Sequence, residues 1–222
     1  MIVLVCLEPP APGRSSRAAL DLACTLAGSA RLLALTVGGP AGSESLELAR
    51  SCAPLTRVLH IDAPELDQVD SMTTGMVLAE AARHLEAGLV IAGERSDREG
   101  HGLVPAALAH HLKATIVSRV QTVRFAQPAD GAEVTTRAGG RLCTLVCPLP
   151  LVVTTAPDRV VPMARAAGTP HAVARLPLAQ IGLEASRLVP RPDLLGELAP
   201  APPASVDELT WEEAQAALLR HR

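Results

Sequence analysis

At 222 residues the chain suits one core plus an appendage, because a single hydrophobic core stops growing above about 250 residues. Trp211 and Phe125 are its only aromatic rings of the Phe, Trp and Tyr kind, so the interior must be aliphatic, and the base-stacking platforms of nucleic-acid binders are excluded. A formal net charge of -3, with Lys113 as the single lysine among scattered arginines, leaves no phosphate-backbone footprint.

The chain opens on the apolar run 2–7, and short apolar runs recur at 32–37, 57–61 and 89–92, each followed by a small or polar break. Such runs read as strands buried on both faces. Between them lie helical spacings: Ala18, Leu22 and Leu26; Leu46 and Ala49; and the stretch 72–85 with Met76, Ala79, Ala82 and Arg83. Strand and helix alternate, which predicts a mainly parallel α/β sheet with right-handed crossovers. A fourth helix is predicted over 103–112 and a fifth strand over 115–123. Residues 133–137 and 141–147 then read as a β-hairpin around Ala138, Gly139 and Gly140, and 149–155 as a further strand.

Beyond Thr155 proline, alanine and arginine dominate, which argues against another packed α/β repeat. Residues 205–220 read as a helix, with Ser205 as N-cap and Glu208 three residues on as in a capping box. A tail of this kind is expected to lie on a partner; a linker with a marginal helix is the blander reading. The expected division is therefore 1–165 as the α/β domain and 166–222 as a docking arm. Without the basic region, longer apolar stretch and cleavage site of a signal peptide, a cytoplasmic location is expected, and no apolar run nears the ~20 residues that span a bilayer.

The stretch most suggestive of chemistry runs from Val90 to Pro105, off the fourth strand into the fourth helix. In a parallel sheet ligands bind beyond the carboxyl ends of the strands. Gly93 lets backbone turn close to a ligand, and Gly100 and Gly102 free the loop ahead of helix amides that suit a phosphate. The loop has neither GK[ST] nor GxGxxG, and Glu94, Asp97 and Glu99 repel a phosphate unless Arg95 and Arg98 offset them. Ser96, Asp97 and His101 share one short loop without a nucleophile elbow, which reads as a solvated loop, not a hydrolytic set. His110 and His111 point about 100° apart on a helix, and His60 and His84 lack a ligand partner at metal spacing. The five cysteines include no CxxC pair; Cys143 and Cys147 fall on one strand face and read as packing.

In order and spacing, residues 1–165 resemble the beta subunit of electron-transferring flavoproteins, including the homologous subunit of nitrogen-fixation electron-transfer systems. The likeness is carried by Ile2-Val-Leu-Val-Cys6, Leu35-Thr-Val-Gly-Gly-Pro40, Arg57-Val-Leu-His-Ile-Asp62, Val90-Ile-Ala-Gly93 with its acidic loop, Ala114-Thr-Ile-Val-Ser118, and Pro148-Leu-Pro-Leu-Val-Val-Thr-Thr155. The resemblance implies an adenine nucleotide alpha-hydrolase-like fold, a larger alpha-type partner subunit that holds most of an FAD, and an AMP or second FAD in this chain. It carries the family's nucleotide contacts onto Cys6, Gly38, Gly93, Ser96, Arg98, Glu99, Gly100, His101, Gly102, Leu103 and Val104. It also places the segment that meets acyl-CoA dehydrogenases at about 162–168.

The departures fall on those same positions. Glu8 stands where relatives have a lysine, and the loop after it is short. Leu103 and Pro105 replace an amide side chain and an amide donor, Arg165 is what remains of a basic docking run, and Ala138 and Gly139 replace signature acids. Three readings follow. One is an electron-carrier subunit, not an enzyme, beside a flavin-bearing partner, which predicts a yellow complex. Another is an adenine-nucleotide sensor of the universal stress kind, which predicts tight AMP binding by the chain alone. The third is a scaffold without nucleotide, which predicts no small molecule released from this subunit.

Overall fold

Residues 1–10, 13–39, 43–96, 100–126, 130–156 and 170–188 are described by the structure, a computed structural model. The chain divides into Met1–Arg191 and Pro192–Arg222, and the second unit, with the expected helix 205–220, lies outside the described residues. So does the expected docking segment 162–168.

The apolar runs form the strands β1 (Ile2–Leu7), β2 (Arg31–Gly38), β3 (Arg57–Asp62) and β4 (Leu89–Gly93), separated by α1 (Arg14–Cys24), α2 (Ser43–Arg50) and α3 (Ser71–His84). After α4 (Leu103–Leu112) come β5 (Thr115–Val117), β6 (Val120–Phe125), β7 (Gly131–Ala138), β8 (Arg141–Pro148), β9 (Leu151–Thr155) and β10 (Val173–Arg175). A 7-stranded sheet has the order β10-β3-β2-β1-β4-β9-β5, and β6-β7-β8 make a separate 3-stranded sheet. Every pair in the large sheet is parallel, and both pairs in the small one are antiparallel. The architecture is the mainly parallel α/β sheet expected from the alternation, with a small antiparallel sheet added.

Side-chain alternation divides the core into two layers. Val3, Val5 and Leu7 of β1 face α1, α2 and the small sheet, in one cluster with Leu20, Leu22, Val123 and Val134. Leu4 and Cys6 face the other way, toward Val77 and Leu78 of α3 and Leu108 of α4. Because both faces are covered, the central strands need apolar residues at every position, which is why they read as unbroken runs.

Helix α3 starts where Asp70 accepts a hydrogen bond from the Thr73 N–H at 2.7 Å. The bond satisfies one of the first-turn amides that a helix leaves open. The exposed turn Gly139-Gly140 has φ of +55° and +78°, the two positive values that a two-residue hairpin turn matched to strand twist requires.

Two expectations are corrected. The single strand expected over 115–123 is two strands, because the chain bends at Ser118-Arg119, where Arg119 has φ +58°. The Thr136 hydroxyl donates to the Ser118 carbonyl at 2.5 Å, so β5 stays in the large sheet while β6 leaves for the small one. Continuing apolar residues Val117, Val120 and Val123 hide that bend in the sequence. The second correction concerns 170–188, placed by the sequence in a docking arm and not in another packed α/β repeat. Val173–Arg175 pairs with β3 as the edge strand, and Leu176, Ile181, Leu183 and Leu188 are buried in the α3/α4 layer.

Candidate functional site

The large sheet grows from β1 through β2 to β3 on one side, and the chain then returns to lay β4 on the other side of β1. Such a reversal leaves a crevice beyond the carboxyl ends of the two central strands, where ligands of doubly wound folds bind. A cavity of about 120 Å³ lies there, between Cys6 of β1, Val37 of β2, Ala92 of β4, Leu78 of α3 and Val104 of α4. Glu8, Ser96 and His101 stand at its polar side.

Glu8 is fixed from several directions. Its N–H donates to Ser16 Oγ at 3.2 Å, its carbonyl accepts from the Ser45 hydroxyl, and its carboxylate accepts from Ser96 Oγ at 2.5 Å. The carboxylate is thus tied to the loop that the resemblance assigned to a phosphate. Ser96 N–H donates to the His101 carbonyl and Gly100 N–H to the Ser96 carbonyl, both at 2.9 Å, so the loop folds back on itself.

Gly38 ends β2 with φ +139°, outside the lining of the cavity. Its neighbour Gly39 donates its N–H to Asp67 Oδ1 at 2.7 Å, and a Cβ at Gly39 would lie 2.2 Å from Asp67 Oδ2. The glycine pair therefore receives a carboxylate of the chain itself, from the 3-10 turn Pro64–Gln68. At Gly93 a Cβ would lie 2.7 Å from Ser15 Cβ, and at Gly102 2.5 Å from the Glu94 carbonyl. Both glycines serve close approach within the chain. The Thr155 hydroxyl reinforces the first contact by donating to the Ser15 carbonyl at 3.1 Å.

Cys6 is buried, and desolvation pushes its thiol up to about 12, so it stays neutral and packs as a small apolar group. On the far side of the loop lies a second, open cavity of about 590 Å³. Arg95, His101, Ser118 and Thr154 line it, with the exposed side chains of Leu103 and Ile116 at its mouth. The Arg119 guanidinium stands 3.5 Å from Glu94 beside it.

The structure thus brings Cys6, Gly93, Ser96, His101 and Val104 to the inner cavity, and Gly100, His101, Gly102 and Leu103 to the outer one. Gly38 stands apart, and Arg98 and Glu99 lie outside the described residues. Sequence reasoning missed Asp67 and the Glu8–Ser96 bond. An acid in a Pro-led turn carries no sign of the glycine amide it will meet, and 88 residues separate the bonded pair. No group of three or more His, Cys, Asp or Glu side chains suited to a metal is found among the described residues.

An AMP or flavin nucleotide does not fit the inner cavity. Pockets for ligands of that size measure roughly 300 Å³ and more. This one is smaller and mainly apolar, and the carboxylate of Glu8 at its polar side repels a phosphate.

The sheet order and the crevice at its point of reversal define a doubly wound α/β domain. The sequence model of the electron transfer flavoprotein domain matches residues 11–181, more than half of the chain. The chain belongs to the electron transfer flavoprotein domain family. No match was found among curated proteins.

Proposed function

We propose that the chain is the small, beta-type subunit of a heterodimeric electron transfer flavoprotein, an electron carrier whose redox-active FAD is held mainly by an alpha-type partner. The observation that carries this reading is the filled crevice of a chain from a flavoprotein family. Its central cavity, about 120 Å³, is small for a flavin nucleotide, and the cavity of about 590 Å³ beside it is open to the surface, which supports a flavin bound largely by another chain.

A surface for such a partner is available on β8. It is one of the two edge strands of the small sheet, and Leu142 and Val146 on it are 63% and 75% exposed. Exposed apolar edge strands invite pairing with another chain, and a monomer normally blunts them with charge or proline. The part of the expected arm beyond residue 188, with the segment 162–168, is proposed as a further contact, to the partner subunit and to an acyl-CoA dehydrogenase or similar redox enzyme. Among the described residues no helix is long and apolar enough to cross a membrane, and a cytoplasmic setting is proposed.

In this arrangement the flavin supplies the chemistry, accepting electrons from a donor enzyme and passing them on. The residues of this chain bind and orient: the large sheet is held by cover on both faces, and β8 presents its exposed edge to the flavin-bearing subunit. Within this chain Gly93, Ser96 and Gly100 to Val104, with Arg98 and Glu99, are proposed as the inherited nucleotide loop, with Cys6 beneath it at the end of β1 and Gly38 apart from it at the end of β2. Arg95, His101, Ser118 and Thr154 line the outer cavity together with Glu94, whose charge Arg119 offsets at 3.5 Å, and the cavity is proposed as the place for an anionic group.

Co-expression with an alpha-type subunit is expected to give a yellow complex with one FAD per heterodimer and no AMP released on denaturation. A colourless chain that purifies alone under those conditions would overturn the subunit reading. Release of stoichiometric AMP from the yellow complex would overturn the reading of the crevice.

A further inference from the structure

All five cysteines are free thiols, and two of them touch. Cys24 is the last residue of α1 and is partly open to solvent, whereas Cys52, just after α2, is fully buried. Their Sγ atoms lie 3.2 Å apart. A disulfide needs ~2.05 Å, so closure asks the sulfurs to move together by about 1.2 Å.

The scaffold around the pair is fixed. Cys52 N–H donates to the Ala49 carbonyl at 3.0 Å, and the Cys52 carbonyl accepts from Leu55 N–H at 3.2 Å. His171 Nε2, on the segment leading to β10, lies 3.2 Å from that same carbonyl. On the other side the Thr25 hydroxyl closes the end of α1 on the Leu22 carbonyl at 2.6 Å.

We infer that Cys24 and Cys52 form a dithiol site that a small peroxide oxidises to an intramolecular disulfide, joining α1 to the turn after α2. Through the hydrogen bond between the sulfurs, in which either can donate, Cys52 is held below the usual thiol range and Cys24 above it, so the first ionisation leaves one proton shared between them. A proton hop along the contact places the charge on Cys24, the member that meets solvent. Its thiolate attacks hydrogen peroxide, expels hydroxide and becomes a sulfenic acid. Cys52 gives its proton to the expelled hydroxide and attacks Cys24 Sγ as the thiolate; the S–O bond breaks, the leaving oxygen takes up the proton lost in the first ionisation and departs as water, and the S–S bond forms. The pair has given up two electrons and two hydrogens, and one peroxide has become two waters.

The remaining thiols lack this geometry. Cys143 and Cys147 share a strand four residues apart, roughly 13 Å along it, beyond the ~7 Å Cα limit of a disulfide. Cys6 belongs to the opposite face of the large sheet from Cys52.

The test is peroxide treatment of the full chain, alkylation, and non-reducing peptide mass mapping. The expected result is an intact mass lower by two hydrogens, a joined Cys24–Cys52 peptide pair, and recovery of both thiols on addition of a dithiol reductant. Recovery of Cys24 and Cys52 as separately alkylated or over-oxidised peptides overturns the inference, as does a bridge between two chains. In C24S, whose fold is checked by far-UV circular dichroism, the two-hydrogen loss should vanish; its persistence would also overturn it.

Discussion

Helix α3 crosses α4 at a glycine, and Gly75→Ala tests whether that contact sets how α4 is held beside the crevice. An added Cβ would lie 2.4 Å from Ala107 Cβ, 2.7 Å from the Leu108 nitrogen and 2.9 Å from the Ala107 carbonyl carbon. Carbon atoms pack at about 3.5–4.0 Å, so the helices must part by roughly 1 Å, and two of the three obstacles are backbone that no rotamer change can move. Helix propensity works the other way, since alanine is favoured over glycine by about 1 kcal/mol inside a helix. Overpacking of a tight core costs about 1–3 kcal/mol, and with backbone as the obstacle the upper end applies, leaving a net loss of about 2 kcal/mol. For a chain of this size that lowers Tm by about 4–8 °C. Urea and thermal unfolding followed by far-UV circular dichroism read it directly. A107G should restore part of the loss in the double mutant, with a coupling of about 1 kcal/mol, because it removes the nearest contact and leaves that to Leu108. A G75A chain as stable as the parent, or stabilised by the propensity term, would refute the packing argument.

Three further outcomes are expected. Cys6 is raised from 9.0 to about 12, so the unfolded chain sheds this proton first; the stabilisation is full below pH 9 and is lost at about 1.4 kcal/mol per pH unit as the pH climbs toward 12. C6A should flatten that alkaline slope in unfolding measurements. Asp70 is held below its usual range by the Thr73 N–H, so its contribution is present above the unfolded value near ~3.9 and fades as the pH falls through the folded one. D70A is expected to cost about 1 kcal/mol at neutral pH and progressively less in acid, while D70N keeps most of the cap. Lysine at both Leu142 and Val146 should change the stability of the chain by no more than about 0.5 kcal/mol each yet abolish co-purification with the flavin-bearing subunit. Undiminished flavin in the pulled-down complex would remove β8 from the interface.

Much of the fold was legible from composition and spacing. The strands β1 to β4 and the helix 103–112 stand where the apolar runs and the 3.6-residue spacing put them. A strand covered on both faces must be apolar throughout, and a helix between such strands must be amphipathic, so burial writes itself into the local pattern. The hairpin was equally readable, because two adjacent glycines supply the positive φ that its turn demands. The break at Ser118-Arg119 was not, since an apolar residue suits either sheet.

The contents of the crevice belong to the tertiary structure. Gly93 announced a close approach of the backbone, and the sequence carried that much. What approaches was decided by chain segments distant in sequence: Asp67 at Gly39 and the first turn of α1 at Gly93. Glycine records that space is needed and says nothing of the atom that takes it. The same holds for Cys24 and Cys52, 28 residues apart, whose contact exists only because α1 and the end of α2 lie on the same face of one sheet.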